Sequence, residues 1–429
     1  MQKFGGAGLA DGERVRRACR IVRERGGERP VVVVSAIGEV TALLGEALAQ
    51  AARGAPDCAR VRLRHKRLLA ELELEPGLCN RHLNELESLL GAVAARGVAT
   101  AAERDHALSF GERLSARIVA AALRTLGVAA TPVDAWDLGL VSDSNHGRAR
   151  PLPSALEAVR RSLAGVPGVP VVTGFVAADA AGRLTTLGRS GSDLSAALLA
   201  AAAGAQELQL WKTVGGVMSA DPRLVPEART LRELSWSQVA ALSFHGAGVV
   251  HAGALEPLER TRLCARVLDL DHPDDAGTRI GAHGLERGQV GVACRRELAL
   301  ARGVPREVAL DPALEVLTHD DDADGLALVA VEGEAFARLE AALPARAAVE
   351  HPVAALALVA AEPSEIAAAE GSAALRSAGV APCLSWIDSE RAAAVWAVAA
   401  GELAPAARAL HALALECNEP RPSPSRSAP

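Results

Sequence analysis

The segment Thr185–Asp193 groups side chains that could bind an anion with one that could bind a cation. Its two glycines allow a tight turn and a close approach of the backbone to a ligand. Arg189 offers a planar, two-pronged donor for a carboxylate or phosphate, and a following helix would present free N–H groups to the same anion. Asp193 beside this donor suits a substrate ammonium or could organise nearby cationic side chains. The alternative interpretation is a strand–turn–helix connection without a ligand site, in which Ser192 or Asp193 caps the helix.

This segment lies in a chain that alternates buried strands with helices. Val31–Ala36 and Pro170–Phe175 are apolar on both faces, as strands of parallel sheets are. The alternation predicts an α/β domain at 1–280, a three-layer, doubly wound, mostly parallel sheet that binds ligands at the carboxyl ends of its strands. The other predicted elements are strands at 2–6, 131–134, 138–142, 185–187 and 207–211, and helices at 11–25, 40–53, 58–96 with a break at 76–77, 110–126, 154–163 and 194–203.

The pattern changes after residue 281. Residues 290–416 alternate short strands with amphipathic helices, which predicts two ferredoxin-like α+β lobes. Strands are predicted at 313–318, 325–331, 353–360, 381–387 and 392–399, and helices at 334–343, 364–378 and 402–415. The tail at 418–429 is rich in Pro and Ser and is predicted to be disordered.

Composition excludes several classes of function. A net charge of −6 argues against general nucleic-acid binding. The seven cysteines are scattered without a CxxC pair, so free thiols are expected and no metal site is predicted. The beginning of the chain has no apolar signal region, and no apolar run suits a membrane span. We therefore expect a cytoplasmic protein without a membrane partner.

Several motifs together resemble an aspartate kinase of the amino-acid kinase superfamily, a family that also carries paired regulatory ACT lobes. Each motif alone is weak, but their order and spacing cover nearly the whole chain. Asp388–Arg391 resembles the ligand-side turn of an ACT lobe. The motifs of the kinase domain are Lys3–Gly6, Val34–Ala36 with Val40–Thr41, Phe110–Glu112, Gly174–Phe175, the 185–193 segment and Asp221–Ala228.

The resemblance implies transfer of a phosphoryl group from MgATP, as substrate, to the side-chain carboxylate of L-aspartate, without a protein-bound metal or organic cofactor. It assigns Lys3 and Asp193 to catalysis. The implied substrate-binding residues are Ser35, Thr41, Glu112, Arg189, Ser192 and Asp193. The implied nucleotide-binding residues are Lys3, Gly5, Gly6, Lys212, Thr213, Met218 and Arg223. Glu112 could instead be a first-turn acid that complements a helix dipole, and Lys212 could point into solvent.

The departures from the family concentrate in the nucleotide site. Where the family has W-T-D-V-D-G, this chain has Trp211–Gly216, so Thr213 replaces an acid. Met218 replaces a tyrosine. Gly248 replaces a lysine that faces phosphate, and losing one such donor typically costs about 10²–10³ in rate. The pocket for the amino acid keeps the family's residues.

Three functions therefore stay open. The first is an active aspartate kinase with a remodelled ATP site, at the start of lysine, threonine and methionine synthesis. The second is a non-catalytic paralogue that senses amino acids and pairs with an active kinase. The third is a relative that phosphorylates another acidic substrate. The resemblance also implies lysine or threonine as an allosteric ligand and a homodimer built through the C-terminal lobes.

Overall fold

The structure is a computed structural model. It describes residues 1–25, 27, 29–250, 252–285, 288–302, 304, 316–320, 326–330, 341, 343, 348–361 and 365–418. The described part divides into two compact units. The first unit comprises Met1–Val217, Arg232–Trp236 and Val250–Ala282, and the second comprises Met218–Leu231, Ser237–Val249 and the described residues from His283 onward. The sequence-based division at 1–280, 290–416 and 418–429 stays a prediction.

Seventeen strands and eleven α-helices are named here in chain order within the described residues. The strands are β1 Gln2–Phe4, β2 Val32–Val34, β3 Ala130–Val133, β4 Val141–Ser142, β5 Val169–Thr173, β6 Val176–Asp179, β7 Leu184–Thr186, β8 Leu208–Lys212, β9 Glu233–Ser235, β10 Ala265–Asp269, β11 Thr278–Gly281, β12 Gln289–Arg302, β13 Val316–Asp320, β14 Leu326–Ala330, β15 Ala348–Ala360, β16 Leu384–Asp388 and β17 Ala393–Ala399. The helices are α1 Gly12–Arg25, α2 Val40–Ala51, α3 Ala59–Glu71, α4 Asn80–Arg96, α5 Ala101–Thr125, α6 Ala155–Ala164, α7 Gly191–Ala203, α8 Trp236–Leu242, α9 Ala252–Thr261, α10 Glu365–Ser377 and α11 Leu403–Asn418.

The first unit is built on an eight-stranded sheet in the order β3-β5-β2-β1-β8-β10-β11-β9. Its neighbouring strands run parallel except β10 and β11, which are antiparallel. A separate three-stranded sheet has the order β4-β6-β7. The predicted α/β class with a mostly parallel sheet is confirmed.

Along each central strand, successive side chains lie on opposite faces of the sheet. Phe4, Val32 and Val34 belong to the apolar core that also contains the buried face of α5. Because successive side chains of a strand point to opposite faces, Lys3 and Val33 face the other side. Both strands are buried along their whole length, as a sheet covered on both faces requires.

Two predicted elements had wrong boundaries, and one strand was not predicted. Helix α5 begins at Ala101 rather than at residue 110, because Thr100 and Glu103 form a reciprocal capping box. The strand predicted at 138–142 is a 3₁₀ turn, Ala135–Leu138, followed by the short β4, because Gly139 takes a left-handed conformation with φ of 91° between them. The sequence also missed β12, whose fourteen residues include a polar Arg-Arg-Glu run.

The predicted helix cap was also wrong. Helix α7 begins at Gly191, so Ser192 and Asp193 lie in its first turn instead of preceding it. Ser190 occupies the cap position at a φ of 52° and makes no side-chain cap hydrogen bond. The Ser190 carbonyl, rather than its side chain, accepts the Asp193 N–H at 2.9 Å.

The second unit holds a six-stranded sheet in the order β13-β14-β12-β15-β17-β16, and its described pairs are all antiparallel. Helices α10 and α11 pack on this sheet around Leu356, Trp396 and Leu410. The arrangement is compatible with ACT lobes. Only residues 341 and 343 of the helix predicted at 334–343 are among the described residues, and the tail at 419–429 lies outside them. Helix α11 extends to Asn418.

Candidate active site

Lys3 and Asp193 form an ion pair at the carboxyl edge of the main sheet. The Lys3 Nζ lies 2.6 Å from the Asp193 Oδ1, and the two side chains are 7% and 4% exposed. Strand β1 presents Lys3 to the face opposite the α5 core, and α7 supplies Asp193 from its first turn. The pair therefore joins the central strand to the N-terminus of a thirteen-residue helix.

Lys212 binds the other oxygen of the same carboxylate. Its Nζ donates a 2.8 Å hydrogen bond to the Asp193 Oδ2. Strand β8 runs parallel to β1 with Leu210 opposite Lys3, so Lys212 lies two residues nearer the carboxyl edge on the same face. The alternative that Lys212 points away into solvent is wrong, because its side chain is only 20% exposed.

The charge balance favours an ionised Asp193. Burial would raise the pKa of this carboxyl, but the Lys3 and Lys212 ammoniums outweigh burial and hold the pKa at about 2. Burial lowers the pKa of Lys212, and the Asp193 carboxylate opposes that effect. Two lysines and one carboxylate give this largely buried cluster a formal charge of +1, which suits an anionic ligand.

Glu112 is a buried acid with one unused oxygen. Its Oε1 accepts a 2.9 Å hydrogen bond from the Ala36 N–H, at the carboxyl end of β2. Among the described residues, Oε2 has no hydrogen-bond partner. Burial raises the pKa of Glu112 to about 8, although the Ala36 hydrogen bond and the Lys3 charge oppose the shift. The first-turn interpretation of Glu112 was wrong, because α5 begins eleven residues earlier.

Gly111 permits the contact between Glu112 and the Ala36 N–H. A Cβ there would lie 2.6 Å from the Cβ of Ala36, closer than real carbon atoms approach. Helix α5 can therefore reach the end of β2 only with glycine at this position. The close approach brings Glu112 within hydrogen-bonding distance of the Ala36 N–H.

The loop between β7 and α7 carries Arg189, which is exposed, while the neighbouring Ser192 is buried. Phe175 fixes the start of α7, because its N–H donates a 2.9 Å hydrogen bond to the Ser195 Oγ. Gly174 lies against Ser192 so closely that a Cβ would be 2.8 Å from the serine Cβ. The Gly174–Phe175 turn thus supports the segment that the sequence identified.

The other residues assigned to the amino-acid pocket lie near the ends of β1 and β2. Ser35 is half-buried and its N–H bonds to the Phe4 carbonyl at 3.1 Å. Thr41 is exposed in the first turn of α2. Gly5 precedes a 3₁₀ turn, and a Cβ on Gly6 would lie 2.7 Å from the Ala36 carbonyl oxygen.

The residues assigned to the nucleotide divide between the two units. Lys212 and Thr213 belong to the first unit, where Thr213 is exposed just after β8. Met218 and Arg223 belong to the second unit. Met218 accepts a weak hydrogen bond from the Thr230 hydroxyl at 3.6 Å, and Arg223 forms a 2.8 Å ion pair with Asp221.

Asp105 is a buried site residue that the sequence analysis missed. Its Oδ2 accepts hydrogen bonds from the N–H groups of Thr186 and Gly147 at 3.0 and 2.9 Å, and its Oδ1 accepts one from the Thr186 hydroxyl at 2.7 Å. His146 Nδ1 lies 3.0 Å from Oδ2. Asp105 therefore ties the helix of Glu112 to the strand that leads into Arg189. The capping box at Thr100 was the signal that could have placed this acid inside a helix.

The described residues show neither a metal-binding cluster nor a membrane-spanning helix. They hold no group of three or more His, Cys, Asp or Glu side chains placed to bind a metal ion. Within the same residues, every helix is too short or too polar to cross a membrane.

Comparison with known proteins places residues 2–269 in a single family model, described as the amino acid kinase family. Relatives include Aspartokinase 1, chloroplastic, of Arabidopsis thaliana, which is 34% identical over 292 residues covering 65% of this chain and 51% of the relative. Aspartokinase from Rickettsia felis is 31% identical over 282 residues, covering 65% of this chain and 60% of the relative. The chain spans about half the length of the first curated relatives it matches.

The fold matches solved structures over nearly its whole length. Escherichia coli aspartokinase III in complex with aspartate and ADP superimposes with a TM-score of 0.80 at 24% identity, covering 96% of this chain and 99% of that one. The same enzyme with lysine and aspartate gives a TM-score of 0.76 at 23% identity, covering 96% and 98%. At this identity the match establishes the fold alone: the predicted α/β class is confirmed, and the antiparallel sheet of the second unit is compatible with ACT-like lobes.

Proposed function

This chain belongs to the amino acid kinase family, and we propose that it is an aspartate kinase, which converts L-aspartate and MgATP to 4-phospho-L-aspartate and MgADP. The observation that carries the proposal is the pairing of Lys3 and Lys212 on the single carboxylate of Asp193 at the carboxyl edge of the sheet. Named aspartokinases among the relatives support the choice of substrate. In this role the chain would begin the synthesis of lysine, threonine and methionine.

The proposed reaction needs cations more than it needs a base. The substrate carboxylate is already ionised at neutral pH, since an ordinary aspartate side chain has a pKa of about 3.9. One of its oxygens attacks the γ-phosphorus, and the bond from that phosphorus to the β–γ bridging oxygen breaks, so ADP carries away the electron pair. No proton moves in this step. Positioned donors around the oxygens of the transferred group supply the catalysis.

The amino-acid pocket is proposed to use opposite charges at opposite ends of the substrate. Arg189 pairs with a substrate carboxylate, a geometry that guanidinium matches with two parallel hydrogen bonds. The unpartnered Oε2 of Glu112 accepts from the substrate ammonium. Ser35, Thr41 and Ser192 complete the polar lining.

The phosphate end of the site is proposed to be held by Lys3, whose Asp193 partner fixes its position. Gly5 and Gly6 let backbone N–H groups approach the phosphates, because neither carries a side chain. Thr213, Met218 and Arg223 are proposed to contact the rest of the nucleotide. MgATP enters as a substrate, and the proposal includes no resident cofactor.

A non-catalytic amino-acid sensor that pairs with an active kinase is the second candidate. The sequence feature that favours it is the replacement of two usual nucleotide-site residues by Thr213 and Gly248. Separate calorimetric titrations with aspartate and with MgATP distinguish the two. An aspartate kinase binds both ligands, whereas binding of aspartate alone would support the sensor.

Regulation and assembly are part of the same proposal. Lysine or threonine would act as the allosteric ligand at the C-terminal lobes, since one solved neighbour is an aspartokinase bound to lysine and aspartate. A homodimer would form through those lobes, whose sheet ends in the edge strand β16. The cytoplasmic location stays a prediction from the sequence.

A further inference from the structure

Lys212 has unused donors beside the carboxylate that also holds Lys3. An ammonium has three N–H donors. Among the described residues, Asp193 is the one hydrogen-bond partner of the Lys212 Nζ. The side chain is 20% exposed, compared with 7% for Lys3, so the more accessible of the two ammoniums is that of Lys212.

The register of the sheet explains why one carboxylate can hold both lysines. Lys3 pairs with Leu210 across the parallel strands β1 and β8. Lys212 follows Leu210 by two residues and so extends from the same face, nearer the carboxyl edge. Asp193, in the first turn of α7, reaches both side chains and fixes them beside the N-terminus of that helix.

Lysine is rare in this sequence, which makes the position of Lys212 informative. The chain has only three lysines, at positions 3, 66 and 212, although Lys and Arg together number 46. Two of these three meet at Asp193. At position 248, where the family resemblance leads one to expect a cation, the chain has glycine at a φ of 53°, a conformation that disfavours lysine.

We propose that Lys212 is a second phosphate-binding cation of the site, which contacts the terminal phosphate of the nucleotide while Asp193 holds its ammonium in place. The inference rests on the proposed function and specifies it further. The Lys212 ammonium donates hydrogen bonds to oxygens that gain charge as the bridging bond breaks. It supplies from strand β8 the cation that position 248 lacks.

The test compares Lys212→Met with Lys212→Arg and with Lys66→Met. Lys66 is exposed on α3 and provides the matched control. Calorimetry measures the affinity of each protein for MgADP and for the magnesium complex of adenylyl imidodiphosphate, an analogue that keeps the terminal phosphate. Steady-state assays measure kcat and the KM for aspartate, and thermal unfolding confirms that each variant folds.

We expect Lys212→Met to lose at least about tenfold in affinity for the triphosphate analogue and less than about threefold for MgADP. Its kcat should fall about 10²–10³-fold, the usual effect of removing one preorganised donor. Lys212→Arg should recover part of both losses, since it keeps the charge. Lys66→Met should match the parent in every measurement.

Two results would overturn the inference. One is a Lys212→Met protein that matches Lys66→Met in kcat and analogue affinity. The other is an equal loss for both nucleotides with a lower melting temperature, which would make Lys212 a structural partner of Asp193 only. Should the parent form no aspartyl phosphate while analogue affinity still depends on Lys212, the proposed activity fails and this inference stands. A parent that binds neither nucleotide contradicts both.

Discussion

The Glu112 carboxylate accepts the Ala36 N–H through Oε1 at 2.9 Å, and its second oxygen is buried without a partner among the described residues. A buried acid of this kind stays protonated until an opposite charge arrives, because burial disfavours the charged form. Burial raises the pKa of Glu112 to about 8. We therefore expect this oxygen to accept a hydrogen bond from a cationic group, such as the ammonium of the proposed substrate.

Binding of aspartate should release a proton from Glu112. At pH 7 a carboxyl with a pKa of about 8 is mostly protonated, and a bound ammonium lowers that pKa by favouring the ionised form. Release should approach one proton per site near pH 7, fall to about half near pH 8 and nearly vanish above pH 9, where the free site is already ionised. Calorimetry in buffers of different ionisation enthalpy measures it.

The control for this prediction is Glu112→Gln, which keeps the shape of the side chain and cannot ionise. It should bind aspartate without releasing the proton. If the parent and this variant release the same number of protons at pH 7, Glu112 does not face the ammonium.

Arg189→Ala should abolish detectable binding of aspartate. Truncating one partner of a buried, hydrogen-bonded charge pair costs roughly 2–5 kcal/mol, and Arg189, exposed in the free protein, is proposed to form such a pair once aspartate covers it. Calorimetric titration with aspartate measures the loss, and Arg160→Ala, an exposed arginine on α6, serves as the control. Unchanged affinity in Arg189→Ala would remove this residue from the pocket.

Asp105→Ala should destabilise the first unit by about 1–3 kcal/mol for each buried donor that loses its acceptor. The substitution leaves the Thr186 and Gly147 N–H groups without their acceptor. Urea unfolding measures the change, with the exposed Asp275→Ala as control. A loss no larger than the control's would show that the Asp105 contacts contribute little.

Ile387→Lys should weaken the proposed homodimer at least tenfold. Ile387 is 37% exposed on the edge strand β16, and lysine on an edge strand opposes pairing with a second chain. Leu63→Lys, at a leucine that is 48% exposed on α3, is the matched control. Sedimentation at several micromolar concentrations measures the dissociation constant. A parent that is monomeric there would contradict the dimer itself.

The sequence was most informative where local chemistry determines structure. The Val32–Val34 run predicted a strand buried on both faces, and the segment around Asp193 predicted a strand–turn–helix joint. The start of α7 was misplaced because Ser190 adopts a left-handed conformation, which serine rarely takes. Local patterns contain no information about such tertiary constraints.

Long-range pairing was the part that the sequence could not supply. Asp105 meets Thr186 from 81 positions away. Lys212 meets Asp193 because the register of β1 and β8 places it near Lys3, which binds the same carboxylate. The motifs identified Asp193 and Lys212 separately as chemical groups. Their contact depends on which strands are neighbours, and that order is a property of the fold.

The central claim is transfer of a phosphoryl group to aspartate, and the most direct measurement is trapping of the product. Hydroxylamine converts an acyl phosphate to a hydroxamate, which is quantified beside the ADP formed from MgATP. We predict aspartyl hydroxamate in equal amount to ADP, both dependent on aspartate and both abolished by Asp193→Asn. Absence of hydroxamate from a folded parent protein that binds aspartate and MgATP would contradict the account.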